Sequence, residues 1–220
     1  DGMGEIETSL LGVGKNDEIS IVHNGNRYPN SLGLFYSAIT HYLGWQHHSD
    51  EGIIMGLAPF GDDTHTVKNS EKTYKQFFQK IISEVGEFDF EIDLSWISYH
   101  HVRDTWISDK FLNIFGPKRE YDGPVTQHHK DIAAALQNRI EEIVLNQLER
   151  ARKKFNLNKL CISGGVGLNC SLNGKIVDSN LFDEIFVQPA SGDDGAAIGA
   201  CYLSYKKLTS EKISKKSHNF

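Results

Sequence analysis

Three short segments of this chain carry residue types whose spacing suits chemistry. The first, Ser163-Gly164-Gly165-Val166-Gly167-Leu168-Asn169-Cys170-Ser171-Leu172-Asn173-Gly174-Lys175, follows a short apolar run. Its glycines let the backbone approach a ligand closely, and a helix starting just beyond them aims unpaired N–H groups at it, which suits a nucleotide. The run is not a dinucleotide fingerprint, whose third glycine would fall at Cys170. Nor is it a P-loop, because Asn169 stands five residues before Gly174 and Ile176 follows Lys175. A tight turn that only packs strand on helix would use the same glycines. The second segment, Gln188-Pro189-Ala190-Ser191-Gly192-Asp193-Asp194-Gly195-Ala196-Ala197-Ile198-Gly199, pairs two aspartates where a helix begins. They can cap that helix and complement its dipole without any ligand. Two adjacent carboxylates exceed what one cap needs, however, and a metal ion or the Mg²⁺ of a polyphosphate would use the spare one. The small residues Gly195, Ala196 and Ala197 leave room for something against the helix. The third, Asp1-Gly2-Met3-Gly4-Glu5, sets a carboxylate beside glycines, where it can hold a metal or orient a phosphate, although Asp-Gly is also a common turn signal.

These segments need a frame. Residues 6–13 and 19–23 are short, partly alternating stretches around Gly14-Lys15-Asn16-Asp17 and predict a hairpin. Ser31 precedes a 3.6-period face of Leu32, Phe35, Ile39, Tyr42 and Leu43 closed by Gly44, which predicts a capped helix. Residues 52–61 hold three glycines and one proline, which predicts a structured, partly buried connection and no regular element. Tyr74, Phe77, Phe78, Ile81 and Ile82 predict a helix over 69–84, and Phe88, Phe90 and Ile92 a strand; short elements follow to about Pro124. Residues 126–155 repeat apolar side chains at steps of three and four and predict one long amphipathic helix. A strand over 157–163, the glycine turn, a helix-like segment, a strand at 185–187 and a last helix from Asp193 or Asp194 complete the order. That alternation predicts an α/β sheet with helices on its faces. From Lys206 on, lysines among Ser, Thr and Asn read as a linker or frayed tail, so that 1–205 form one domain and 206–220 its tail.

A chain of 220 residues, 39% of them hydrophobic, can bury one sizeable core. Its formal charge of −6 excludes a domain held to nucleic acid by bulk electrostatics. Cys161, Cys170 and Cys201 are odd in number and lack C-x-x-C spacing, so they read as small buried thiols in a reducing, cytoplasmic compartment. No run approaches the roughly 20 apolar residues of a membrane span, and no leader pattern opens the chain. The histidine pairs at 47–48, 100–101 and 128–129 read as solvated or locally hydrogen-bonded, because adjacent rings do not easily converge on one tetrahedral ion.

Taken in order, the three segments resemble the carbamoyltransferase family that includes nodulation-factor and antibiotic O-carbamoyltransferases. The match takes in Ser31-Leu32-Gly33-Leu34-Phe35-Tyr36 through Leu43-Gly44, then Glu51-Gly52 and Met55-Gly56-Leu57-Ala58-Pro59-Phe60-Gly61, and runs to about Tyr202. The resemblance implies an actin-like ATPase fold of ribonuclease H-like lobes, here incomplete at its N-terminal lobe. It implies ATP or carbamoyl-adenylate as ligand, with Gly164, Gly165, Asn169 and Asn173 forming the adenosine wall and Gly195 beside it. It also implies a divalent metal, iron(II) by family analogy, held by Asp1 and Asp194, with Asp193 the fallback for the latter, and Mg²⁺ for the adenylation step. The family's H-x-x-x-H motif and its second, adenylate-forming domain are not in this sequence, so the resemblance implies a fragment inactive by itself. Ile53 stands where family members usually carry a lysine. The implied partners are carbamoyl phosphate and a small hydroxyl-bearing acceptor such as a sugar or natural product, with acceptor contacts in the loops between 95 and 125. An actin-fold sugar kinase, which would release ADP, and a non-catalytic nucleotide-binding module are the alternatives.

Overall fold

The computed structural model describes residues 2–16 and 18–209. Asp1, Asp17 and residues 210–220 lie outside the described residues, so the expected metal ligand Asp1 and most of the expected tail receive no structural account. The architecture is mixed α/β. It opens with the antiparallel strands β1 (Leu11–Lys15) and β2 (Glu18–His23), one register step irregular between Leu11 and Gly12. The hairpin is therefore present but shifted: Gly14 and Lys15 continue the strand, and the turn begins at Asn16 with φ 52°.

Helix α1 (Leu32–Tyr42) starts as its sequence dictates, with the Ser31 hydroxyl accepting the Leu34 N–H at 3.0 Å. The same hydroxyl donates to the Gly2 carbonyl at 2.6 Å and ties the first segment to the head of α1. Residues 51–60 are helical, not an irregular connection: α2 (Glu51–Leu57) runs into a 3-10 turn, Ala58–Phe60. Glycine in an exposed helix costs about 1 kcal/mol, and close packing on the long helix behind offsets it. A Cβ at Gly61 would lie 2.0 Å from the Lys130 carbonyl oxygen, so only glycine lets the backbones approach this closely.

Helix α3 (Tyr74–Ile81) is shorter than its apolar pattern predicts, beginning at a capping box of Thr73 and Gln76. Ile82 leaves the helix in an extended conformation and opens β3 (Ile82–Val85), which pairs antiparallel with β4 (Asp89–Ile92). Periodicity merged the two because Ile82 is buried either way. A 3-10 turn (Leu94–Trp96) and α4 (Asp109–Phe115) follow. Helix α5 (Gln127–Phe155) is the spine: Ile132, Leu136, Ile140 and Ile143 are fully buried, and Arg152, Lys153 and Lys154 in the last turn complement its dipole.

Beyond α5, β5 (Lys159–Ile162) and β6 (Glu184–Val187) pair in parallel, with α6 (Cys170–Asp178) between them and α7 (Asp194–Thr209) after them. Instead of one sheet with helices on its faces, the described residues form three two-stranded sheets. The cysteines also differ from expectation: Cys161, Cys170 and Cys201 are all exposed. Among the described residues no layer covers the faces of β5 and α7 that bear Cys161 and Cys201, so an apolar neighbourhood in sequence did not become a buried one. No helix among the described residues is long and apolar enough to cross a membrane.

Candidate functional site

The glycine run sits at the carboxyl end of β5, where open α/β sheets place their ligands. Gly164 takes φ +99°, a conformation that side chains disfavour, and this turns the chain sharply out of the strand. Its N–H donates to the Ser191 carbonyl at 2.7 Å, which joins the glycine turn to the segment that follows β6. Gly165 opens a 3-10 turn, Gly165–Leu168. A Cβ at Gly167 would lie 2.9 Å from the Ser191 Oγ, and one at Gly195 would lie 2.2 Å from the Ala190 carbonyl oxygen. Gly195 is thus required by close backbone packing and Gly167 by the Ser191 side chain, and the Gly167–Ser191 approach brings the two sequence segments side by side.

Asn169 is occupied within the protein. Its Oδ1 caps α6 by accepting the Leu172 N–H at 3.0 Å, and it exchanges hydrogen bonds with the Gln137 side chain of α5 at 2.9 and 3.0 Å. The Tyr36 hydroxyl of α1 donates to Gln137 Oε1 at 2.9 Å, and Gln137 Nε2 donates to Glu141 Oε1 at 2.7 Å. Glu141, buried, is neutralised by the Lys175 ammonium from α6. Burial and then the Glu141 charge raise the Tyr36 hydroxyl above its ordinary range and keep it a donor. This chain of polar groups locks α1, α5 and α6 behind the glycine turn. Sequence reading missed it; the signal was Gln137 and Glu141 four apart on an otherwise apolar helical face. Asn173 donates to the Gly167 carbonyl at 2.8 Å, while its Oδ1 is buried without a hydrogen-bond partner.

Asp193 and Asp194 are exposed at the start of α7, and neither carboxylate accepts a hydrogen bond from a described residue. They are not consumed as helix caps. Among the described residues no three His, Cys, Asp or Glu side chains converge as metal donors. Helix α2 reaches the site from the other side, with Met55 Sδ 3.7 Å from Cys170 Sγ at the head of α6. Glu51 holds α2 in place by accepting from the Ser37 hydroxyl at 2.5 Å and the His48 N–H at 2.7 Å.

Two grooves flank these elements. One, of about 350 Å³, is lined by Asp63, Lys75, Asn138, Arg139, Glu142 and Lys175 among others, and the glycine turn is not in its wall. The other, of about 530 Å³, lies on the outer side of α2. The histidines at 128 and 129 are locally bonded, as their pairing suggested. His128 Nδ1 lies 2.6 Å from the Tyr74 hydroxyl, and His129 Nδ1 accepts the Thr126 N–H at 3.0 Å.

Comparison with known proteins adds an independent line. The sequence matches the family described as Carbamoyltransferase N-terminus over residues 1–202. It is 35% identical over 208 residues to nodulation protein NolO of Bradyrhizobium diazoefficiens, covering 94% of this chain and 34% of that protein. It is 33% identical over 210 residues to nodulation protein NolNO of Sinorhizobium fredii, covering 94% of this chain and 28% of that protein. An uncharacterized protein of Synechocystis is 34% identical over 218 residues, covering 98% of this chain and 34% of that protein. The chain spans about a third of the length of these relatives.

Proposed function

This chain belongs to the carbamoyltransferase family, and from that premise we propose that it supplies the nucleotide-facing part of an O-carbamoyltransferase with an actin-like, ribonuclease H-like fold. The observation that carries the reading is the junction at the carboxyl ends of β5 and β6. There Gly164 donates to Ser191 and sets the glycine turn beside a pair of aspartates left free of capping duty. Backbone approach at Gly164 and Gly165 suits an adenosine, and the unpartnered Asn173 Oδ1 is an acceptor near that turn. The locked Tyr36, Gln137, Asn169 and Glu141 network holds the turn rigid, which is what positioning of a reacting group demands.

In this proposal, elsewhere in the full-length protein, water cleaves carbamoyl phosphate to carbamate and inorganic phosphate, and the carbamate oxygen bonds to the α-phosphorus of ATP as pyrophosphate leaves, which gives carbamoyl-adenylate. At this site the acceptor hydroxyl oxygen bonds to the carbamoyl carbon, the bond from that carbon to the adenylate oxygen breaks, and AMP departs as the hydroxyl proton is lost to base. A bound divalent metal would supply Lewis-acid polarisation of the carbamoyl oxygen. Asp194, with Asp193 as fallback, and Asp1 would be its carboxylate ligands. Two carboxylates fall short of the ligand set that such an ion takes, so further donors are needed and no step is assigned to the metal. A reaction fed by ATP and carbamoyl phosphate would run in the cytoplasm.

The test is to give the full-length protein ATP, carbamoyl phosphate, Mg²⁺ and ferrous iron and to follow the nucleotide products. AMP and pyrophosphate that appear only with carbamoyl phosphate support the reading. ADP as the product, or turnover indifferent to carbamoyl phosphate, overturns it in favour of phosphoryl transfer.

A further inference from the structure

Transfer to a hydroxyl releases a proton, and the groups near the glycine turn that could take it are few. Burial, then the charges of Glu141, Glu51 and Cys170, raise the Tyr36 hydroxyl, so these three acidic groups all lie near it. Tyr36 itself is held as a donor to Gln137. Glu141 is buried, accepts from Gln137 and is neutralised by Lys175. The Cys170 thiol donates to Met55 Sδ at 3.7 Å. Glu51 differs from all of these. Its Oε1 accepts both the Ser37 hydroxyl at 2.5 Å and the His48 N–H at 2.7 Å, which fixes the carboxyl group between α1 and the turn before α2. Its Oε2 has no hydrogen bond or ion pair among the described residues and is open to solvent. A carboxylate that only clamps α2 to α1 uses one oxygen. A second oxygen, oriented by the first and left bare, is the arrangement of a general base.

Helix spacing places that oxygen. Glu51 and Met55 stand four apart on α2 and share a face, and Met55 touches Cys170, the residue after Asn169 at the end of the glycine turn. Glu51 is thus one helical turn, about 5 Å along α2, from the contact with α6. We propose that Glu51 is the base of the transfer step, an assignment that rests on the function proposed above. The acceptor oxygen bonds to the carbamoyl carbon, its proton passes to Glu51 Oε2, and the bond from that carbon to the adenylate oxygen breaks, so that AMP leaves with the electron pair. The open side of Oε2 then returns the proton to solvent.

The test gives the full-length protein ATP, carbamoyl phosphate, Mg²⁺ and ferrous iron, with two small acceptors as probes. Ethanol attacks through a hydroxyl that must lose its proton and gives ethyl carbamate. Hydroxylamine attacks through a neutral nitrogen that needs no base beforehand and gives hydroxyurea. Glu51→Gln keeps an Oε1 able to accept from Ser37 and His48 and removes the base. It is expected to lower ethyl carbamate formation about a hundredfold and to leave hydroxyurea formation, AMP binding by calorimetry and the melting temperature unchanged. A Glu51 that only holds α2 would lower both products together or shift the melting temperature, and either result overturns the proposal. So does ethyl carbamate formed by the variant at the wild-type rate, or a wild type that makes hydroxyurea and no ethyl carbamate. A wild type that makes neither product, or that releases ADP, removes the transfer function itself and the base with it, so the two readings fail on different results.

Discussion

The helical body and the segment that carries the glycine turn are made from similar residues and reach different ends. Every member of the main hydrophobic cluster lies between Leu32 and Ile143. From Lys159 on, Leu172 and Ile176 are the buried hydrophobic side chains among the described residues, while Phe186, Ile198, Tyr202, Leu203 and Leu208 are exposed. In the body, α1, α3 and the β3–β4 ribbon each find α5 or one another, and apolar faces close in pairs. Beyond it, a two-stranded parallel ribbon and a sixteen-residue helix with no buried residue stand against open faces. Parallel strands ordinarily need cover on both sides, and two strands alone are marginal. Apolar pattern is therefore necessary for a core and insufficient without a facing layer. Among the described residues, the candidate site is built on the segment with the fewest buried apolar side chains.

The sharpest way to break this comparison is to truncate one phenylalanine in each region. Phe78→Ala, at a fully buried position, is expected to cost about 3–5 kcal/mol, whereas Phe186→Ala, 57% exposed, is expected to stay within about 0.5 kcal/mol. Urea denaturation of both variants decides it, and equal costs would mean that β6 is covered as tightly as the body. Glycines give a smaller contrast of opposite sign. Gly61→Ala forces a Cβ against the Lys130 carbonyl and is expected to destabilise by about 1–3 kcal/mol. Gly174→Ala, inside α6 with nothing within 4 Å, is expected to stabilise by up to about 1 kcal/mol.

The smallest effect is on pH dependence. Burial, followed by the Lys118 charge, lowers His41 to about 4, and burial, followed by His128, lowers His129 to about 4. Both folded values lie below the ordinary 6.5, so their contribution is complete above that pH and is lost as pH falls from there to about 4. His65 acts in reverse: hydrogen bonding and the charge of Asp131 raise it, so its contribution is present in acid and is lost as pH rises through the raised value. The expected outcome is a melting temperature that falls between pH 6.5 and 4, with a shallower fall in His129→Gln, which retains a side chain able to accept the Thr126 N–H. An unchanged slope in that variant would remove His129 from the account.

Legibility in the sequence followed the range of the forces involved. The Ser31 cap, the spine α5 and the order strand, glycine turn, helix, strand, helix were readable because each is decided within a few residues. The place of the glycine turn at the end of β5 was readable for the same reason. What escaped depends on contacts distant in sequence. Helix α2 forms across two glycines because the segment packs on α5, and Ile82 leaves α3 because β4 awaits it. Gln137 and Glu141 interrupt an apolar helical face, but their partners Tyr36, Asn169 and Lys175 come from other elements and are not legible locally. The cysteines were misread as buried because small apolar neighbours do not make a layer.

The central claim is that the junction of the glycine turn with Asp194 is a transfer site distinct from the place where the adenylate is made. It is tested most directly by the full-length Asp194→Ala protein, given ATP, carbamoyl phosphate, metal and a hydroxyl acceptor, with adenylate formation and acceptor carbamoylation followed separately. The account predicts that AMP and pyrophosphate still form through hydrolysis of the adenylate while carbamoylated acceptor is lost. Carbamoylated acceptor produced at the wild-type rate would contradict it.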